Sequence, residues 1–200
     1  MQEEAARGCG LRLLDKYGLE KEHALHVERL AVRLFEPLRG VAGFGTEHLG
    51  LLRFAALAHD IGHFVDDAKH HEHSAYLILR DAFAKEAPKR DREAAAWLAL
   101  NHRKRRLLEP NRYTGKEGRA MGRLAVLLRL ADGFDYEHRQ ETRIVDVAAE
   151  TCGTAWTVRV DGFALGSHAK RIEKKLAFAN AFGWERVRVE TDEQQLEGRM

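Results

Sequence analysis

Apolar stripes at helical spacing run through the first two thirds of this chain, and several carry an ionisable residue where core packing calls for hydrocarbon. His23 stands four residues before Val27, at the head of a stripe formed by Val27, Leu30, Ala31, Leu34, Phe35 and Leu38. His59 follows Leu52, Ala55 and Ala56 on the face that they bury, with Asp60 next to it. Asp132 stands four residues after Leu128 and beside Ala131. An ionised carboxylate on a core stripe is costly unless something compensates its charge. A metal ion would do so and would also account for the histidines. Three helices would then converge, one bringing His23, one His59 with Asp60, and one Asp132. Mixed imidazole and carboxylate donors suit Mn, Fe, Ni, Co or Zn better than Ca.

Composition narrows the class. The chain has 200 residues, 44% hydrophobic and 32% charged, which fits one sizeable core with room for a small appendage. A formal net charge of +2 argues against a polybasic nucleic-acid binder. Cys9 and Cys152 lie far apart and form neither a CxxC motif nor a disulfide framework. The start, Met1-Gln2-Glu3-Glu4, lacks the apolar region of a signal peptide, and no apolar run approaches membrane-spanning length, so a cytoplasmic protein is expected. The eleven histidines are crowded, as His23 and His26, His59 and His63, then His70, His71 and His73.

The expected fold is mainly α, a helical bundle with a small C-terminal α/β appendage. Residues 11–138 read as helix after helix. Ser74 is a plausible start for one of them, Pro88 interrupts the pattern, and a loop rich in charge, Pro and Gly spans Arg103 to Gly118. Short β-type runs follow at Arg143 to Glu150 and Ala155 to Asp161, with a turn at Thr151 to Thr154. Leu165 to Phe182 reads as a helix stopped by Gly183, and Arg186 to Glu190 as a last strand. This divides the chain into a helical domain, 1–138, a small α/β subdomain packed on it, 139–193, and a frayed, flexible tail, 194–200, with the fraying beginning near Thr191.

The motifs His23-x-x-x-Val27, Leu57-Ala58-His59-Asp60-Ile61-Gly62 and Leu130-Ala131-Asp132 resemble the HD-domain pattern of metal-dependent phosphohydrolases. Further stretches are similar to the C-terminal HD region of exopolyphosphatase/guanosine pentaphosphate phosphohydrolase (Ppx/GppA) proteins. They are Glu22-His23-Ala24, Leu34-Phe35, His70-His71-Glu72-His73-Ser74, His102-Arg103 and Leu128-Arg129-Leu130-Ala131-Asp132. This likeness spans nearly the whole chain. It implies an HD-domain helical bundle in which His23, His59, Asp60 and Asp132 are the metal ligands. His23 is preferred to His26 because it has the family spacing to the following Val. The resemblance implies one or two divalent ions, Mn, Fe, Ni or Co first, with Zn or Mg as alternatives. His73 and His102 would be second-metal ligands, Asp60 would bridge, and the choice between His71 and His73 stays open. Full-length members carry an actin-like module with glycine-rich phosphate loops. No such loops occur here, so a stand-alone HD domain is expected, without that module's polyphosphatase activity.

Asp60, His102 and His73 are the candidate catalytic residues, with His102 placed to protonate a leaving oxygen. The basic run Arg103-Lys104-Arg105-Arg106 reads first as a solvated loop. Its sharper reading is that Arg103, with Lys69 and Arg139, neutralises a substrate phosphate. Lys170, Arg171, Lys174 and Lys175 read as the outer face of the C-terminal helix, and Phe54 and Trp97 as core. The expected function is phosphohydrolase action on a nucleotide or other phosphate ester through metal-activated water. The alternative is a regulatory HD module that binds nucleotide or metal without turnover. The expected partner is a small phosphorylated molecule, with neither membrane nor nucleic acid, and a homodimer is left open.

Overall fold

The structure, a computed structural model, describes residues 2–103, 115–151 and 153–192, and the backbone of 195–198. Lys104, Arg105, Arg106 and Cys152 lie outside the described residues. Six helices come first: α1 (Glu3–Tyr17), α2 (Lys21–Leu38), α3 (Thr46–Ala58), α4 (His70–Arg80), α5 (Lys89–Leu100) and α6 (Gly115–Phe134). They are followed by β1 (Arg143–Ala149), β2 (Ala155–Asp161), α7 (Leu165–Leu176), β3 (Arg186–Glu190) and β4 (Gln195–Gly198). The fold is mainly α with a small α/β appendage.

The centre of the bundle is α3. It is apolar around most of its circumference, and Leu52, Phe54, Ala55, Ala56, Leu57 and Ala58 are fully buried. A helix without a polar face must be enclosed on all sides, and α1, α2, α5 and α6 pack around this one. The chain leaves the helix at His59 still inside the protein, which is how that ring comes to lie in a hydrocarbon interior with Asp60 half-buried beside it. In turn, α6 packs against α2 on one side and α7 on the other.

The appendage is a mixed sheet in the order β1-β2-β3-β4. The β1–β2 and β3–β4 pairs are antiparallel, while β2 and β3 are parallel and joined through the crossover helix α7. Alternation buries Trp156, Val158 and Val160 of β2 with Val187 and Val189 of β3. These residues belong to the same continuous core as Leu13, Phe35 and Phe54, so hydrophobic packing does not break at residue 139. Phe54 is core, and Trp97 packs half-buried against it.

Four boundaries differ from the sequence expectation. Helix α1 begins at Glu3 rather than near residue 11. Helix α4 begins at His70 rather than Ser74, because its first turn is fixed by contact with the preceding segment. Helix α7 stops at Leu176, and a separate 3₁₀ turn covers Asn180–Phe182. Gln195–Gly198 pairs with β3 instead of fraying, since the outer edge of β3 offers backbone groups that require partners. Among the described residues no helix is long and apolar enough to cross a membrane.

Asp81, just past α4, ties that helix to α1. Its Oδ2 accepts from Lys16 Nζ at 2.6 Å and from Tyr17 Oη at 2.7 Å, and its Oδ1 accepts from the Phe83 N–H at 2.8 Å. Burial pushes the Asp81 pKa up, but these three donors outweigh it and hold the carboxyl below its ordinary 3.8. Asp81→Ala is expected to cost about 2–3 kcal/mol in urea unfolding at pH 7. A depressed folded pKa gives stability that is present above the unfolded value and lost as pH falls through the folded one. The gap between wild type and variant should therefore be full above about pH 5 and narrow in stronger acid.

Candidate metal centre

Two histidines reach back to carbonyls in the last turns of α3 and α5. His59 Nδ1 donates to Ala56 O at 2.8 Å and His102 Nδ1 to Ala99 O at 2.6 Å. At the start of α4, His70 Nδ1 donates to Asp67 O at 2.8 Å. On α2, His23 Nδ1 donates to Asp135 Oδ2, also at 2.8 Å. In each ring the proton sits on Nδ1, so in the neutral form Nε2 carries a lone pair. All four rings are buried.

These lone pairs converge on two carboxylates. Asp60 Oδ2 lies 3.3 Å from His59 Nε2 and 3.6 Å from His23 Nε2. Its other oxygen, Oδ1, lies 3.3 Å from His102 Nε2 and 3.4 Å from His70 Nε2. Asp132 Oδ1 completes the first group, 3.8 Å from His23 Nε2 and 4.0 Å from His59 Nε2. His63 Nε2, on the rim, is 3.9 Å from Asp60 Oδ2. The site thus has two lobes that share Asp60, one with His23, His59 and Asp132, the other with His70 and His102.

Acceptors face acceptors here. His70 Nε2 and His102 Nε2 stand 3.2 Å apart with both Nδ1 protons committed elsewhere. His23 Nε2, His59 Nε2 and Asp60 Oδ1 are buried without a hydrogen-bond partner. Burial lowers the pKa of His59 and His70, and that of His102 well below the ordinary 6.5. His23 goes the other way, because Asp135, Asp132 and Asp60 together outweigh burial. Burial also opposes the charges on Asp60 and Asp132. Both carboxyls are nonetheless held below the ordinary range, Asp60 by the surrounding imidazoles and Asp132 by Lys175 first. The imidazoles would help fully only if protonated, which burial resists. A divalent cation removes the conflict, and the donor set fits one.

Among the described residues one further group, His48 with Glu47 and Glu117, is close enough to share an ion. There the Gly45 N–H donates to His48 Nδ1 at 2.7 Å, which puts the neutral ring's proton on Nε2 and leaves no lone pair for a metal.

Of the residues expected from sequence, the structure brings together His23, His59, Asp60, Asp132 and His102. His26 is buried nearby and contacts Arg29 instead. His73 is half-exposed on α4, and no contact carries it to Asp60; His70 is the residue of that run that reaches in. His71 is buried behind it, with its ring edge towards His102. The cause is a close approach at Gly62, whose N–H donates to Ser74 Oγ at 2.8 Å. A Cβ on Gly62 would lie 2.0 Å from His70 O and 2.5 Å from Ser74 N. This contact starts α4 at His70 and turns that ring inward.

Arg103 Nη1 stands 3.2 Å from His70 Nε2, at the edge of the second lobe. Lys69 is exposed, and Arg139 pairs with Glu137 and Glu141 on the surface. Sequence reasoning missed His70, Asp135, His138 and Lys175. Asp135 lies three residues after Asp132, a helical neighbour that periodicity could have flagged. The loop after α6 folds back through two left-handed non-glycine residues, His138 and Gln140, a costly conformation. Gln140 N–H donates to Asp135 Oδ1 at 2.7 Å, and the His138 ring stacks on His23 at 3.8 Å. Lys175, expected on the outer face of α7, instead pairs with Asp132 Oδ2.

A pocket open to solvent lies beside the first lobe. Leu14, Leu19, Ala24, Leu57 and Ile61 form its apolar wall, with Asp60, His63 and His138 at the polar end.

The chain matches the family model described as "Ppx/GppA phosphatase, domain III" over residues 9–176. A guanosine-5'-triphosphate,3'-diphosphate pyrophosphatase of Aeromonas hydrophila subsp. hydrophila is 35% identical over 121 residues, 60% of this chain and 24% of that protein. The protein of the same name from Aeromonas salmonicida is 32% identical over 121 residues, with the same coverage. The chain spans about a quarter of the length of these curated relatives. With the family model covering most of its helices and part of its appendage, the chain belongs to the Ppx/GppA phosphatase domain III family.

Proposed function

We propose that the chain is a metal-dependent phosphohydrolase of HD-domain type, acting on a nucleotide or other phosphate ester or anhydride. The observation that carries this is the convergence of four buried histidine Nε2 atoms on two carboxylates. The relatives named as pyrophosphatases support the choice of phosphorus as the reacting centre. Imidazole with carboxylate favours Mn, Fe, Ni or Co, with Zn or Mg as alternatives.

When bound, a divalent ion supplies Lewis-acid activation of water and of a phosphoryl oxygen. The chain's own residues hold and orient. His23, His59 and Asp132 would hold one position, His70 and His102 another, and Asp60 offers one oxygen to each. The carbonyls of Ala56 and Ala99 and the Asp135 carboxylate fix the rings in the ligating tautomer. Burial and its bond to Ala99 O suit His102 to ligation rather than to proton donation. The leaving-group acid is better assigned to His63. It stands on the rim, partly exposed, with Nδ1 donating to Asp67 Oδ1 at 2.7 Å and Nε2 facing Asp60, where it would meet a leaving oxygen. Arg103, at the edge of the second lobe, would meet a phosphate oxygen.

The alternative is a module that binds nucleotide or metal without turnover. Its support is that the matched region is about a quarter of each relative, the rest of which could house the chemistry.

Purified protein titrated with manganese and assayed against a panel of nucleotides, phosphate esters and phosphoanhydrides should turn over at least one of them. His59→Ala and Asp132→Asn should abolish that turnover and weaken manganese binding by at least about 10–100-fold. No turnover across the panel, with His59→Ala indistinguishable from wild type, would sink the enzyme reading. Tight nucleotide binding by metal-loaded protein without hydrolysis would favour the module.

The α4 contacts give a sharper comparison. His70→Ala should weaken metal binding by about tenfold or more, whereas His73→Ala should leave it near wild type. Gly62→Ala should displace the start of α4, so it should weaken metal binding as His70→Ala does and also lower the melting temperature, a combination readable by calorimetry.

A further inference from the structure

The positive charge at the centre of the site comes from the appendage. Lys175 lies in the last turn of α7, with its side chain only 14% exposed and its ammonium on Asp132 Oδ2. Two features build this arrangement. A Cβ at Gly133 would lie 3.3 Å from Lys175 Cγ and 3.7 Å from Cε, so a bare strip of α6 supports the lysine stem. One turn earlier on α6, the buried Arg129 donates to the Lys175 carbonyl at 3.4 Å and to the Asn101 carbonyl at 2.9 Å. One guanidinium thus anchors the end of α7, which carries Lys175, and the end of α5, which leads into His102.

Asp132 is divided between two sides. Its Oδ1 faces His23 and His59, while its Oδ2 faces Lys175. Occupation of the first lobe by an ion would therefore not displace the ammonium. The charge count then changes sign. Three carboxylates, Asp60, Asp132 and Asp135, stand against two cations, Lys175 and Arg103, which leaves the site negative and repellent to anions. Addition of a divalent cation makes it positive, with Lys175 less strongly held by a carboxylate that the ion has partly neutralised.

We propose that Lys175 is the oxyanion contact of the metal-loaded centre, so that a tetrahedral phosphate binds only after the divalent ion. This rests on the metal reading of the site. A compact ammonium with three donors is suited to a phosphate oxygen, and its partly buried setting strengthens the attraction.

The test is calorimetric titration of the full chain, first with manganese and then with inorganic phosphate, with a chelator control. Wild type should bind phosphate with manganese present and not without it. Lys175→Met should keep its thermal transition and still bind manganese, yet bind phosphate at least about tenfold more weakly. Lys175→Arg should retain phosphate binding to within about threefold. Equal phosphate affinity in Lys175→Met and wild type would overturn the proposal, as would phosphate binding of the same strength without manganese. Manganese binding by a wild type that takes up no phosphate would overturn the proposal and leave the metal reading standing. Failure of wild type to bind manganese would overturn both.

Discussion

Backbone carbonyls at helix ends orient three of the histidines of this site. A backbone carbonyl in the last turn of a buried helix needs a donor, and His59 and His102 each supply one by reaching back three residues. His70 makes the same three-residue reach to Asp67 at the beginning of α4. Each bond satisfies a main-chain group and at the same time aims a lone pair at Asp60. Fold stability and site geometry therefore depend on the same hydrogen bonds. This explains how polar rings survive in an interior made of Leu52, Phe54 and Leu57.

A second constraint fixes the helices relative to one another. Arg129 is almost fully buried, and burial lowers its pKa to about 10, which still leaves it charged at neutral pH. Its guanidinium joins the ends of α5 and α7. The sheet adds rigidity behind α7, because β2 and β3 are parallel neighbours that the helix must cross between. The appendage is thus structurally part of the centre. Its core is continuous with the bundle, and Lys175 extends from it to Asp132.

Much of this was legible from residue patterns. Helical periodicity located most of the bundle helices, and the change to alternating β-type runs after residue 139 marked the appendage. The pairing of buried stripes with ionisable residues singled out His23, His59, Asp60 and Asp132, because the cost of a lone buried charge is a property of the residue and not of its neighbours. The choice left open there, between His71 and His73, missed His70, because nothing local separates the three positions. Each is compatible with a helix start, and only the contact between Gly62 and the first turn of α4 decides which ring turns inward. Lys175 was equally hidden. A lysine on an amphipathic helix reads as solvated unless the neighbouring helix offers a carboxylate and a gap, here Asp132 and Gly133.

By itself, then, the sequence determined where most of the helices lie, which apolar faces they bury, and which ionisable residues stand on those faces. These follow from local periodicity and from the solvation energy of single side chains. Tertiary structure decided which atoms meet. The two-lobed division of Asp60, the choice of His70, the bond between His23 and Asp135, and the entry of Lys175 all join residues from different helices. Distances of that kind are set by packing, and no local spacing encodes them.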